Sequence, residues 1–431
     1  MKINPIIIES YFTPGFKTKP AVHVGSQTIK FFHGNPKEQS WEGFRLAGAF
    51  GKDVAVVRDF DPNYITYWNN LADKVSIINL SGVDKGKFLT EVVLEDSSVI
   101  NSIKQKMDFN SKLMVFLPTE LEQKLADTLG IPLHGSPQIS ELYGTKSGIR
   151  KLAGEFDLLM SAGFVCSTYT QIKDSIFKLK HSFEKIIIKH DLSLSGYFSK
   201  KIDTDNIGDL KRSLNTIASG KFTEGEDTVV VEGWIKSKTS LCAHIEILEG
   251  KDPIICAGWQ QIIDSDGISY MGAVPLMISA KALKSFITQV NKLAKALKEK
   301  GAVGSYGPDF VITSEEEPNM EADTCVLIEL NARIPYTAFP LEAIKQIKGK
   351  IGNGFCTQHI KLSRSISFSD IKGILERERL LITERDSSAK GVVPYNVGLL
   401  PWKIFDIVAI GDSWEEASWI TDKVNNIFKK L

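Results

Sequence analysis

Cysteine is scarce in this 431-residue chain and nothing arranges it: Cys166, Cys242, Cys256, Cys325 and Cys356 are odd in number, far apart and mostly set among apolar neighbours. They read as reduced core thiols. With no Cys-x-x-Cys and no His-x-x-x-His pair, neither a zinc site nor a redox couple is supported. A surplus of one charge is also missing. Lys plus Arg equals Asp plus Glu at 52 each, so no global field favours nucleic acid or an anionic membrane as partner. Long hydrophobic runs are absent: Pro5 to Ile8 and Ile186 to Ile188 fall far short of the roughly 20 residues that span a bilayer. The first residues lack the basic start and long apolar stretch of a signal peptide. These absences together lead to the expectation of a cytoplasmic protein. No Gly-x-Gly-x-x-Gly follows a strand in the first third, which argues against a nicotinamide-dependent dehydrogenase. No Walker-type lysine loop occurs either, which argues against a kinase built on one.

The chain is too long for one ordinary core, so two or three domains are expected. From Met1 to about Leu133 short apolar runs alternate with amphipathic stretches. Trp41 to Phe50 reads as a helix, Asp53 to Val57 as a strand, Tyr64 to Ala72 as a helix and Lys74 to Ile78 as a strand, the rhythm of an α/β unit. A second region opens near His134 and holds Lys146, Arg150 and Lys151 ahead of a helical segment ending near Gly163. Phe183 to His190 reads as a buried strand closing on Lys189, followed by the small, polar turn Asp191 to Ser199. Thr228 to Ile235, Leu241 to Leu248 and Pro253 to Ile263 continue as strands, the last two joined by the turn Glu249 to Asp252. Ala280 to Lys300 is the clearest helix, with Leu283, Phe286, Val290, Leu293 and Leu297 on one stripe and Gly301 to stop it. From about Phe368 a last segment carries strands at Gly391 to Val397 and Phe405 to Ile410. Its final helix starts at Ser413, where Glu416 completes a capping box.

Polar chemistry concentrates at Cys325 to Arg333. Side chains on a strand alternate between faces, which puts Glu329, Asn331 and Arg333 on one side about 7 Å apart, and Val326, Ile328, Leu330 and Ala332 on the other. A carboxylate and an amide suit Mg²⁺, which shares its shell with substrate phosphates. Gly307 to Thr313 reads as a second strand carrying Asp309, joined to the first by a polar hairpin at Ser314 to Asp323; antiparallel pairing would set Asp309 beside Glu329 and Asn331. The wet face of any antiparallel sheet would give the same alternation, and a strand-end lysine such as Lys189 is often merely solvated. Lys189 followed by small residues could also meet phosphates with ammonium and backbone N–H together.

Taken in order, Lys146, Lys189 with its small-residue loop, Glu232-Gly233-Trp234-Ile235, Asp309 and Glu329-x-Asn331-x-Arg333 resemble the nucleotide site of the ATP-grasp ligases. The resemblance spans about residues 131–360. It implies an α/β (α+β) fold: a pre-ATP-grasp α/β domain at 1–130, an ATP-grasp domain at 131–360 holding nucleotide between two α+β subdomains, and a small carboxyl-terminal α/β segment at 361–431. That last segment is similar to the tail of the pheganomycin-type peptide ligases and of the butirosin-pathway ligase that loads glutamate on a carrier protein. By resemblance, Lys146 and Lys189 contact ATP phosphates, Lys189 also lies near the adenine, Glu232 takes the adenine amino group, and the backbone of Trp234 and Ile235 takes the ring edge. Ser195 and Gly196 belong to the loop that closes over the triphosphate. Asp309, Glu329 and Asn331 hold one or two Mg²⁺ ions, or Mn²⁺ in their place, and Arg333 binds the transferred phosphoryl group. Two departures stand out. Lys236 to Ser240 offers no acid for ribose hydroxyls, and the phosphate loop has one glycine, Gly196, where relatives often have several.

The chemistry these residues imply is activation of a carboxylate by the γ-phosphate of ATP to an acyl-phosphate, which an amine then displaces with release of ADP and phosphate. Alignment and charge neutralisation suffice for it, so the lack of a nucleophile triad is consistent. The expected partners are a small carboxylate and a small amine, an amino acid or peptide, in natural-product biosynthesis; a carrier-protein thiol is the rival acceptor. A silent nucleotide-binding scaffold is the rival of another class. Stretches at Trp259 to Gln261, Tyr270 to Gly272 and Ile334 to Thr337 are candidate loops lining an acceptor pocket. By analogy with related enzymes the resemblance extends to a homodimer.

Overall fold

A computed structural model describes residues 21–24, 48–73, 75–84, 86–192, 199–204 and 222–431. Strands β1 (Ala21–Val24), β2 (Val54–Arg58), β3 (Ser76–Leu80) and β4 (Lys112–Met114) pair in parallel in the order β3-β2-β1-β4. A parallel sheet must be covered on both faces, and strand alternation supplies two apolar sides. Val54, Val56, Leu113 and Val115 pack with helices α2 (Leu89–Glu95), α3 (Ser97–Lys106) and α4 (Glu120–Leu129). Ala55, Val57, Met114 and Phe116 face a second core containing α1 (Pro62–Leu71). Helix α1 begins where the sequence signals it: the Asp61 carboxylate accepts from the Asn63 N–H and Pro62 occupies the first turn. β3 forms two residues later than expected, and the predicted helix at Trp41 to Phe50 lies largely outside the described residues.

After α5 (Pro137–Tyr143) comes α6 (Lys146–Glu155), and here expectation and structure differ. Lys146, Arg150 and Lys151 do not precede the helix but lie in it, because Thr145 caps it, its hydroxyl accepting from the Gly148 N–H. A Cβ on Gly148 would come within 1.8 Å of the Leu142 carbonyl, so this tight entry requires glycine. Gly163 does not end a helix; it opens β5 (Gly163–Cys166). With β6 (Lys185–His190), β7 (Ser199–Asp203) and β8 (Val229–Gly233) it forms an antiparallel sheet in the order β5-β8-β6-β7. Helix α7 (Tyr169–Leu179), with a Thr168–Gln171 capping box, covers one face through Ile172, Ile176 and Leu179.

The third sheet has eight strands in the order β13-β12-β9-β10-β11-β14-β16-β15, antiparallel throughout. Its members are β9 (Ser237–Ile247), β10 (Ile254–Ile263), β11 (Tyr270–Val274), β12 (Gly304–Thr313), β13 (Cys325–Asn331), β14 (Phe355–Lys361), β15 (Gly391–Tyr395) and β16 (Ile404–Ile410). Helix α8 (Ala280–Glu299) buries Phe286, Val290, Leu293 and Leu297 against it, with Leu283 at the margin, the stripe expected from the sequence. Helices α9 (Ala338–Lys348), α10 (Phe368–Arg377) and α11 (Trp414–Lys429) complete the carboxyl-terminal part. The Ser413 cap accepts from the Glu416 N–H, but the Glu416 carboxylate reaches back to the Asp412 N–H rather than to Ser413, so the expected box is offset by one residue. Helix α1 ties the first sheet to this part: Tyr64 donates to the Pro394 carbonyl and Tyr67 to that of Ile382. Among the described residues no helix is long and apolar enough to cross a membrane.

One ionic knot crosses from the parallel sheet to the large one. His134 Nε2 stands 3.1 Å from Glu246 Oε1, Ser305 donates to Glu246 Oε2 at 2.6 Å, and Lys112 Nζ approaches His134 Nδ1 at 3.0 Å. Burial opposes ionisation of Glu246, yet the His134 and His244 contacts and the Lys112 charge outweigh it and hold the carboxyl far below its usual range. Burial likewise holds His134 below its usual value. Both groups therefore contribute stability that is complete above the unfolded pKa values, about 6.5 for His and about 4.3 for Glu, and lost as pH falls from those values through the lower folded ones. Glu246→Ala strands the buried cation and should cost about 3–5 kcal/mol in urea unfolding at pH 7. The variant should also show a shallower fall in stability between neutral and acid pH than the parent.

Candidate active site

Between the small sheet and the end of the large one lies an open cleft, lined by Lys189, Glu232, Trp234 and Ile235 on one side and by Gln261, Asp309, Ile328 and Glu329 on the other. The hairpin β12–β13 builds the second wall. Its register pairs Gly307 with Asn331 and Asp309 with Glu329, then slips, so that Phe310 faces Leu327 and Ile328 is the extra residue of a bulge. The bulge reverses the alternation. Cys325, Leu327, Leu330 and Ala332 reach the core beneath α8, whereas Ile328 turns into the cleft beside Glu329; the expected apolar face of Val326, Ile328, Leu330 and Ala332 is corrected accordingly.

Three of the predicted side chains meet directly. Asn331 Nδ2 donates to Asp309 Oδ2 at 2.8 Å, and Arg333 donates to Asn331 Oδ1 at 2.6 Å. The Arg333 guanidinium lies 4.2 Å above the Phe116 ring, so the parallel-sheet unit supplies one side of its slot. Lys146, at the head of α6, pairs with Glu329 at 2.8 Å. Burial pushes the Asp309 carboxyl well up, and the neighbouring Glu329 charge adds to that. Glu329 also meets a burial penalty, but Lys146, Lys189 and Arg333 overcome it and keep the carboxyl below its usual range. Burial lowers Arg333 to about 10, against the opposing pull of Glu329 and Asp309.

At the other wall Glu232, 5 % exposed, receives two cations: Lys189 on Oε1 and Arg150 on Oε2. Burial raises this carboxyl, and Lys189 and Arg150 more than reverse the effect. Sequence reasoning passed over Arg150 as a site residue. The signal was present, since Lys146 and Arg150 stand four apart and share one face of α6, sending one cation to each wall. Ser161 donates to the Gly233 carbonyl and fixes the segment that carries Trp234 and Ile235. Lys201 from β7 lies over the Trp234 ring at 4.5 Å. Lys236 and Lys238, in the stretch that offers no acid for ribose hydroxyls, are held by Glu317 through the Lys236 N–H and by Glu315 and Asp323. Ser195 and Gly196 lie outside the described residues.

The acceptor-pocket stretches are strands and a turn rather than loops. Trp259 is core, 1 % exposed, while Gln261 on the same strand donates to Asp309 Oδ1 at 2.9 Å and Tyr270 lines the cleft. Among the described residues no group of three or more His, Cys, Asp or Glu is arranged to hold a metal. The acid pair here is completed by an amide instead, giving three oxygen-bearing side chains from two adjacent strands.

No family model and no curated protein matches the chain. Solved structures do. An N5-carboxyaminoimidazole ribonucleotide synthetase in its ADP complex aligns with a TM-score of 0.56 at 12% identity, over 96% of this chain and 97% of its own. The N5-carboxyaminoimidazole synthase of Aspergillus clavatus, in complex with ADP and 5-aminoimidazole ribonucleotide, aligns with a TM-score of 0.56 at 11% identity over 96% and 99%. A biotin carboxylase from Campylobacter jejuni in a β,γ-ATP complex gives 0.58 at 12% identity over 92% and 88%. The likeness shows the fold, the mixed α/β ATP-grasp architecture expected from the sequence.

Glu232→Gln should leave Lys189 and Arg150 facing a single neutral amide and lower stability by about 3–5 kcal/mol in chemical denaturation. Adding Arg150→Met should recover part of the loss, because one stranded cation is then removed. Additive effects would show that the three groups do not act as one cluster.

Proposed function

We propose that the chain is an ATP- and Mg²⁺-dependent ligase that joins a carboxylate to an amine through an acyl-phosphate, releasing ADP and phosphate. The observation that carries this reading is the convergence of Lys146, Asp309, Glu329, Asn331 and Arg333 at one end of a cleft whose other end is Lys189, Glu232 and the Trp234–Ile235 backbone. The nucleotide complexes of structural neighbours support it.

The donor set fits a hard cation. Asp309 and Glu329 are opposed in register and repel each other, a repulsion that a divalent ion relieves. Asp309, Glu329 and Asn331 would hold Mg²⁺, which when bound supplies charge neutralisation and orientation of the triphosphate. Glu232, kept ionised by Lys189 and Arg150, accepts from the exocyclic amine of adenine, and the Trp234–Ile235 backbone meets the ring edge. Lys146 and Lys189 bind phosphate oxygens, and Arg333, rigid in its slot over Phe116, binds the transferred phosphoryl group. The carboxylate oxygen of the substrate attacks the γ-phosphorus, the bond to ADP breaks, and the amine then displaces phosphate from the acyl carbon.

Within the ATP-grasp architecture, the order of motifs and the carboxyl-terminal segment favour the pheganomycin-type group, with domains at 1–130, 131–360 and 361–431. An amino acid or small peptide is the acid component. Delivery to a carrier-protein thiol is the neighbouring outcome, and it is recognised by product that appears only with a phosphopantetheinyl protein.

Incubated with ATP, Mg²⁺ and mixed amino acids, the protein should release ADP and phosphate; release of AMP and pyrophosphate would exclude this mechanism. Glu329→Gln and Lys189→Ala should lower ADP formation by about 10²–10³-fold while thermal melting shows folded protein. Rates equal to the parent in either folded variant would remove that residue from the site.

A further inference from the structure

Beside the metal-binding end of the cleft a row of polar side chains crosses four strands of the large sheet and is used by none of the steps above. Register pairs His359 on β14 with Asp406 on β16, and Asp406 with Tyr395 on β15. Asp406 is fully buried, 0 % exposed. Its Oδ1 is bonded by His359 Nδ1, and its Oδ2 by the Tyr336 hydroxyl and, at 2.8 Å, by Asn396 Nδ2. One end of the row, Tyr270, lines the cleft. The His359 ring lies 5.7 Å from that of Tyr270, a cleft-lining residue, and 6.2 Å from that of Tyr336, which follows Arg333 by three positions. Tyr270 is itself bonded to Thr337 at 2.8 Å. His359 keeps 14 % of its side chain exposed, unlike the carboxylate behind it.

A carboxylate on Nδ1 fixes an imidazole in one orientation and one tautomer, with the proton on Nδ1 and the lone pair on Nε2. Burial pushes the hydroxyls of Tyr270 and Tyr336 far up, so they remain protonated beside the imidazole.

We propose that the Tyr270–Tyr336–His359 wall is the subsite for the amine acceptor, with His359 the group that takes its proton and Asp406 a positioning residue. The assignment rests on the ligase reading above. An amine reaches the site as an ammonium and has no lone pair until a proton leaves. Transfer of one proton to His359 Nε2 frees the nitrogen to form the C–N bond as the acyl carbon's bond to phosphate breaks; a second proton leaves the nitrogen with the departing phosphate, and the first passes from imidazolium to solvent as product leaves. Tyr270 and Tyr336 hold the acceptor by ring faces and hydroxyls.

Hydroxylamine separates acceptor deprotonation from activation, because it is uncharged at neutral pH and traps an acyl-phosphate without a base. With ATP, Mg²⁺ and a panel of free amino acids supplying both carboxylate and amine, His359→Gln should retain hydroxamate formation within about threefold of the parent. Its amide formation should fall by about 10²-fold or more, the usual contribution of a general base, and added imidazole should restore part of it. Asp406→Asn should show the same partition to a lesser degree, if melting shows it folded; His359→Gln alone suffices if it does not. Equal loss of hydroxamate and amide, loss of neither, or a parent that forms hydroxamate yet couples no amine overturns the assignment. A parent that forms no hydroxamate and no ADP with any acid overturns the ligase reading itself, and this assignment with it.

Discussion

Two carboxylates, Asp309 and Glu329, are held opposite each other at the bottom of the cleft, and the arrangement of the surrounding elements follows from making that tolerable. In a half-buried setting like charges at this separation resist joint ionisation, which is why the Asp309 carboxyl is driven up. The compensation comes from three separate parts of the chain: Lys146 at the start of α6, Asn331 and Arg333 at and just past the end of β13, and Gln261 across the sheet. Phe116, from the parallel-sheet unit, closes over Arg333. An acidic end built this way has its carboxylates positioned by paired strands and its counter-charges supplied by elements that pack on them.

Helix α6 does two tasks at once. Its first turn sends Lys146 to Glu329, and one turn later Arg150 goes to Glu232 on the small sheet. Both walls of the cleft therefore take their spacing from a single helix face. The tight Gly148 entry and the Thr145 cap fix where that helix starts, and so fix which residues face the cleft. The large sheet continues without a break from the acidic hairpin to β15, so the His359–Asp406 pair lies in the same sheet as Asp309 and Glu329.

Much of the site was legible in local sequence. A strand ending in alternate Glu329, Asn331 and Arg333, a second strand carrying Asp309 and a polar hairpin between them were sufficient to expect the pairing that the register shows. The long amphipathic helix was read to within one residue of its end, since twenty positions of helical periodicity leave little ambiguity. Short elements fared worse. Lys146, Arg150 and Lys151 were placed ahead of their own helix because a threonine cap and a glycine in the first turn look, in sequence, like a loop. The bulge at Ile328 carries no residue signal at all, because any side chain can be the extra one.

What the amino-acid order determined by itself was period and chemistry: which runs are strands, which stripe of α8 is apolar, and which oxygen and nitrogen groups are available to a phosphate and a divalent ion. Those are properties of neighbours along the chain. Tertiary structure alone decided the pairings between distant residues: Arg150 and Lys189 on Glu232, Phe116 under Arg333, His359 against Asp406. Such contacts join residues up to 217 positions apart, as between Phe116 and Arg333. They depend on how sheets stack and where a bulge resets alternation, and no local propensity encodes either.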